Sequence, residues 1–209
     1  DVCSSDLHGY GHQRASDLSE TEFFSDISQS KALLEDLTGQ RVSGYRAPSF
    51  SIGSSNLWAF DCLERAGYQY SSSVFPIQHD HYGMPNAPRF SHWVRPGLKE
   101  IPITTFRAWG RNFPASGGGY FRLLPYKVSA WMLSRVNVRE KEAGVFYFHP
   151  WEIDVAQPRI AGIGLKTRFR HYVNIPKVEK RLQQLLQDFD WGRMDEIFLN
   201  PREPLNARV

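Results

Sequence analysis

Two rhythms of apolar and polar positions alternate along the chain. Ser19 to Glu22 forms a Ser-x-x-Glu capping box, and Phe23, Phe24, Ile27, Leu33, Leu34 and Leu37 follow at helical spacing until Thr38-Gly39 stops the run. Arg41 to Tyr45 then reads as a short strand entering the loop Arg46-Ala-Pro-Ser-Phe50, where Pro48 disfavours helix at Ala47. A second helix is predicted from Ser54 or Ser55 to Ala66, with Leu57, Trp58, Phe60, Cys62 and Leu63 as apolar surface and Gly67 as its stop. Tyr68 to Val74 is the next strand. Phe75 to Leu98 follows as a long connection broken by Pro76, Pro85, Pro88 and Pro96, of a length more often functional than idle.

Further on, Glu100 to Phe106 reads as a strand and Ser116 to Arg122, with three consecutive glycines, as a flexible loop. Pro125 to Val136 is a predicted helix with Pro at its start, and Val145 to Phe148 a short strand ending in His149. The last helix runs from about Pro176 to Phe189, with Val178, Leu182, Leu185, Leu186 and Phe189 on one face. Helix and strand in alternation predict an α/β layer or barrel with a largely parallel sheet. No repeat or linker divides it.

Composition narrows the class. At 209 residues, 41% hydrophobic and 14% aromatic, the chain suits one folded domain with a substantial core. No apolar run approaches the roughly 18 residues that cross a bilayer. The net charge of +3 comes from basic residues that look dispersed along the sequence, and no nucleic-acid module is visible, so nucleic acid is not an expected partner. Cys3 and Cys62 are too few for a disulfide framework, and Cys62 reads as a buried thiol.

Candidate chemistry concentrates at two places. His8-Gly-Tyr-Gly-His12 sets two imidazoles four residues apart, a spacing that can close on one divalent ion but needs a third ligand. Alone, the pair is ambiguous. His149 falls where a parallel strand should finish, the end at which ligands and catalytic groups gather; a buried or turn His before Pro150 is the alternative. His79-Asp-His81-Tyr82 reads more simply as exposed loop than as a metal site. The glycine run has no Lys-Ser, Lys-Thr or G-x-G-x-x-G context, which argues against a nucleotide.

In order, His8-Gly-Tyr-Gly-His12, Arg46-Ala-Pro-Ser-Phe50, Tyr70-Ser-Ser-Ser-Val-Phe-Pro76 and Phe146-Tyr-Phe-His149-Pro-Trp-Glu152 resemble successive motifs of the NodB-like polysaccharide deacetylases. The stretches Ser30 to Gly39, Gly118 to Pro125 and Phe169 to Asn174 look like the subfamily found with exosortase-linked exopolysaccharide gene clusters. The resemblance runs from His8 to about Phe198. It implies a distorted (β/α) barrel and a metal-dependent hydrolase that removes acetyl groups from N-acetylated sugars of a polymer. His8 and His12 would match the metal ligands, for zinc or another divalent ion. Arg46 would match the Arg that orients an Asp base, and His149 the general acid. Trp151, Pro48 and Tyr120 would line the sugar site.

The departures carry their own expectations. Asp1 to Leu7 reads as a translated sequencing adapter fused to residues 8–209, a single partial domain lacking its first strand or strands. The family's early Asp motif, source of the third ligand and the base, then has no counterpart, since Asp6 lacks a strand to present it. Weak metal binding and little turnover are expected of this chain. Glu152 and Asp154 are near enough in sequence to His149 to approach a metal, though without family precedent. Ser71 stands where relatives often have Asp. Two other functions compete: an amidohydrolase of the same fold opening cyclic amides or imides, and a non-catalytic carbohydrate-binding relative. The polymer, compartment and oligomeric state stay open.

Overall fold

Five short strands, β1 (Asp6–Leu7), β2 (Gly44–Tyr45), β3 (Tyr70–Ser71), β4 (His92–Arg95) and β5 (Leu98–Glu100), form one sheet in the order β1-β2-β3-β5-β4. All neighbours are parallel except β4, which closes the edge antiparallel to β5. The structure, a computed structural model, describes residues 6–80 and 82–200; Cys3 and His81 lie outside the described residues. Asp6 and Leu7 thus do form a strand, parallel to Gly44 and Tyr45, where none was expected.

The register puts Leu7, Tyr45, Ser71 and Glu100 in one row across the parallel strands. Pairing continues one residue further: the Arg46, Ser72 and Ile101 amides donate to the Leu7, Tyr45 and Ser71 carbonyls at 2.8, 2.9 and 2.7 Å. His8, Arg46 and Ser72 therefore stand side by side just past the carboxyl ends of adjacent strands.

Helix α1 (Glu20–Thr38) begins at the expected capping box, Ser19 with Glu22, and ends on Gly39 in the left-handed conformation. It buries Phe23 and Ile27, and the Phe23 ring meets Tyr45 edge-on at 5.7 Å. Leu33 and Leu37, expected on the same face, are exposed, because the buried stripe ends in Ser30 and Lys31. Lys31 bonds the Val42 carbonyl and Glu35 and lies over the Tyr68 ring. Helix α2 (Trp58–Arg65) buries Phe60, Cys62 and Leu63 against the same core, which includes Tyr45 and Leu98. A second core, with Tyr70, Phe75, Ile101 and Ile103, lies further along the sheet.

Among the described residues the sheet stays open: the α/β layering expected of a distorted barrel is present, and no closed barrel forms among them. Val145 to Phe148 forms no ladder: the Val145 amide donates to Thr104 Oγ1 at 2.6 Å, and the Tyr147 carbonyl accepts from Gly118 at 3.2 Å. The strand expected over Glu100 to Phe106 is split at Pro102, and Thr105–Ala108 (β6) instead pairs with Arg111–Pro114 (β7) as a separate hairpin. The glycine run is no flexible loop but the start of helix α3 (Gly118–Leu123). At Gly117 (φ +71°) a Cβ would lie 1.7 Å from the Tyr147 carbonyl oxygen, which explains why glycine is needed there.

The carboxyl-terminal part is helical: α4 (Tyr126–Arg135), α5 (Leu165–Tyr172), α6 (Val178–Asp188) and α7 (Met194–Phe198). Leu185 of α6 packs with Leu133 of α4 and Phe121 of α3, while Leu186 is exposed. From α6, Arg181 caps α3, donating to the carbonyls of Phe121, Arg122 and Leu124 at 2.8, 3.0 and 3.0 Å. Helix α5 was not anticipated and buries no side chain. No helix among the described residues is long and apolar enough to cross a membrane.

Candidate active site

The His8 to His12 loop leaves β1 and is held from α1. Asp26 accepts the Tyr10 and Gly11 amides at 3.0 and 2.7 Å. This grip explains the glycine at position 9 (φ +82°), where a Cβ would sit 2.2 Å from the Asp26 carboxylate. Gly11 is close as well, its Cβ position 3.3 Å from the same carboxylate. The two imidazole centres stand 5.4 Å apart. A tetrahedral ion about 2.0–2.1 Å from one nitrogen of each ring would put those centres roughly 5 Å apart, so the pair fits two ligands of one ion. The His8 ring also hydrogen-bonds the Arg46 backbone, the outer partner that metal-binding imidazoles ordinarily have. Burial, followed by the neighbouring Arg46, His12 and His149, lowers the His8 pKa to about 4, although part of the residue remains open to solvent. Among the described residues no third His, Cys, Asp or Glu joins the pair.

Arg46, next along the strand ends, is anchored on the loop after β3. Its Nε and Nη2 donate to the Ser72 carbonyl and Oγ at 3.1 and 3.0 Å. Ser73 Oγ accepts the Ala47 amide at 2.9 Å and the Ser71 hydroxyl at 2.8 Å. Beneath them Glu100, fully buried, accepts the Ser73 and Val74 amides at 2.9 and 2.8 Å. Glu100 is the register partner of Ser71, so the sheet supplies a carboxylate to this layer from the neighbouring strand. Burial raises its pKa, against the hydrogen bonds from the Val74 and Ser73 amides.

His149 reaches the same place from the opposite segment, close enough to bear on His8. Glu152 Oε1 accepts both its Nδ1–H, at 2.8 Å, and its backbone amide, at 3.1 Å. Glu152 is buried, and its other oxygen pairs with Arg122 of α3 at 2.9 Å, also buried. Its carboxylate is therefore spent on His149 and Arg122 rather than approaching a metal. Asp154 instead accepts the Ala156 amide at 2.9 Å.

Trp151 lies near parallel to His149 (centres 5.8 Å, 22°) and stacks on His171 (4.3 Å, 9°), with Arg122 over its ring at 4.7 Å. Tyr120 is half-buried and feels Arg170 and Asp80. Pro48 is buried within its loop. His79 stacks on Tyr82 at 4.0 Å. The structure thus sets His8, His12 and Arg46 at or beside adjacent strand ends, with His149 within electrostatic reach of His8 and Trp151 beside His149, and buries Pro48. Asp26, Arg122 and Glu100 were not visible as site residues. Glu152 was singled out in sequence only as a residue near enough to approach a metal, not as the partner of His149, and Arg122, thirty residues upstream, left no local signal.

Residues 3–71, about a third of the chain, match the family described as Polysaccharide deacetylase. Residues 72–199 match the family described as Domain of unknown function (DUF3473). That match covers more than half of the chain, which belongs to this family. Among curated proteins it is 34% identical over 68 residues to the Peptidoglycan deacetylase-like protein FGM2 of Gibberella zeae, covering 32% of this chain and 19% of that protein. A crystal structure provisionally assigned as a polysaccharide deacetylase, from Mycobacterium smegmatis, matches with a TM-score of 0.52 at 17% identity. The match covers 92% of this chain and 60% of that one, and at such identity the likeness is one of fold. The chain spans about a fifth of the curated relative.

Proposed function

We propose that the chain carries the active-site residues of a metal-dependent hydrolase that removes acetyl groups from N-acetylated sugars of a polysaccharide. The observation that most supports this is the placement of His8, His12 and Arg46 at or beside the carboxyl ends of adjacent parallel strands, with His149 within electrostatic reach of His8. His8 and His12 would hold the ion, zinc by the preference of imidazole nitrogen. A bound ion of this kind makes water nucleophilic near neutral pH and polarises the amide carbonyl. The further ligand and the base come, in this reading, from outside the described side chains, and Arg46 orients that base. As the C–N bond breaks, the departing amine takes a proton from His149. Glu152 accepts the Nδ1–H, which leaves Nε2 to carry the transferable proton. The resemblance to exopolysaccharide-locus deacetylases points to such a polymer as substrate.

Acetate release from N-acetylated oligosaccharides tests the reading, run with added zinc on this chain and on a form extended at its amino terminus. Release is expected from the extended form, with loss on His149→Ala and His8→Ala. Robust release that survives both substitutions sinks the assignments.

A further inference from the structure

Residues 155–177 contain five of the 25 Lys and Arg and none of the 22 Asp and Glu, so the remaining residues carry 20 basic against 22 acidic groups. This segment is one of two acid-free basic stretches, the other being residues 101–139 with six Lys and Arg, and it is the one that adjoins Trp151 through His171. Most of its charge sits on α5, whose Lys166, Arg168 and Arg170 are exposed. This helix adjoins the candidate site directly. His171 at its end stacks on Trp151, Arg170 is near enough to Tyr82 and Tyr120 to influence both, and Arg159 lies 4.2 Å over the Tyr172 ring. Only Asp80 faces the cluster among the described acids paired with it, at 3.9 Å from Lys166 and 3.7 Å from Arg170, both loose and solvent-exposed contacts.

A helix that buries nothing is not kept basic by packing. Lys166 and Arg170, one turn apart on the same helix face and near Tyr82 and Tyr120, are continuous with a site that would take a sugar polymer and match a chain of sugars bearing carboxylates. Resting on the deacetylase reading, we infer that the polymer is anionic: an N-acetylated polysaccharide with uronate-type carboxylates, held by Lys166 and Arg170 while an acetamido sugar lies at His149.

The test compares direct binding, without turnover, of hyaluronan oligosaccharides and chitin oligomers of equal length. The first alternate N-acetylglucosamine with glucuronate, and the second are neutral. At about 0.01 M salt, where charges act over about 30 Å, hyaluronan should bind at least roughly tenfold more tightly, and the advantage should vanish near 1 M salt. The double variant Lys166→Gln, Arg170→Gln, at surface positions and checked for an unchanged melting curve, should lose the same factor. Equal binding of the two polymers, no binding of either, or undiminished hyaluronan binding by the variant overturns the inference. So does displacement by duplex DNA at lower concentration than by hyaluronan, which would assign the surface to nucleic acid. Absence of acetate release from the amino-terminally extended form, with hyaluronan binding intact, would instead sink the deacetylase reading alone.

Discussion

Glu152 offers the sharpest test of how the candidate acid is held. Glu152→Gln keeps the shape and an oxygen for the His149 ring but removes the charge facing Arg122. Both partners are almost fully enclosed, with side chains 2% and 4% exposed. Burial already lowers the Arg122 pKa, and Glu152 is the chief group opposing that shift. Removing one member of such a pair typically costs about 3–5 kcal/mol, because the other charge is left uncompensated. With a urea slope of about 2 kcal/mol/M, the midpoint should fall by roughly 1.5–2.5 M. Urea unfolding followed by tryptophan fluorescence reads this, since Trp151 packs against Arg122. Arg122→Met combined with Glu152→Gln should recover at least about 1 kcal/mol relative to the sum of the single changes. A loss under about 1 kcal/mol for Glu152→Gln, or strict additivity in the cycle, would refute the claim that the pair is a buried strut for His149.

Three further outcomes follow from the geometry. Asp26→Ala frees the Tyr10 and Gly11 amides, and zinc affinity measured by competition with a chromophoric chelator should drop about tenfold, as for other outer partners of metal ligands. Gly117→Ala should cost more than about 3 kcal/mol in thermal unfolding, whereas Gly110→Ala, with a similar φ of +73° but nothing near its Cβ position, should cost about 1–2 kcal/mol; equal costs would contradict a clash at Tyr147. For His8, a folded pKa near 4 means the native state holds fewer protons than the unfolded chain between about pH 4 and 6.5. Stability present above that window should be lost as pH falls through it, by about 1 kcal/mol once solvent screening of the partly open ring is allowed for, and His8→Gln should flatten that slope.

What could be read from sequence was what local chemistry decides. The capping box and Gly39 delimit α1 because their hydrogen bonds close within four residues, and Cys62 is buried as its helical pattern required. Val145 to Phe148 looked like a strand because its residues are apolar and β-prone, yet its backbone partners are a threonine hydroxyl and a helix start distant in sequence. Helix α5 gave no apolar periodicity because it buries nothing. In the site, the basic groups were legible through their motifs, while Asp26, Glu100 and Arg122 act across separations that leave no spacing to recognise.

The carboxylates around the site share one physical role. Each basic group of the candidate site stands at or beside a strand end or on an exposed loop, and each is fixed by a carboxylate that faces the protein rather than the cleft. Asp26 holds the backbone of the His pair, Glu100 the serine loop that binds Arg46, and Glu152 the ring of His149. Acids placed inward this way order the imidazoles and guanidinium without neutralising the side from which substrate enters. The same logic accounts for Ser71: with Glu100 across the register, a carboxylate at position 71 would set two buried negative charges side by side, at a cost of several kcal/mol that a serine hydroxyl avoids.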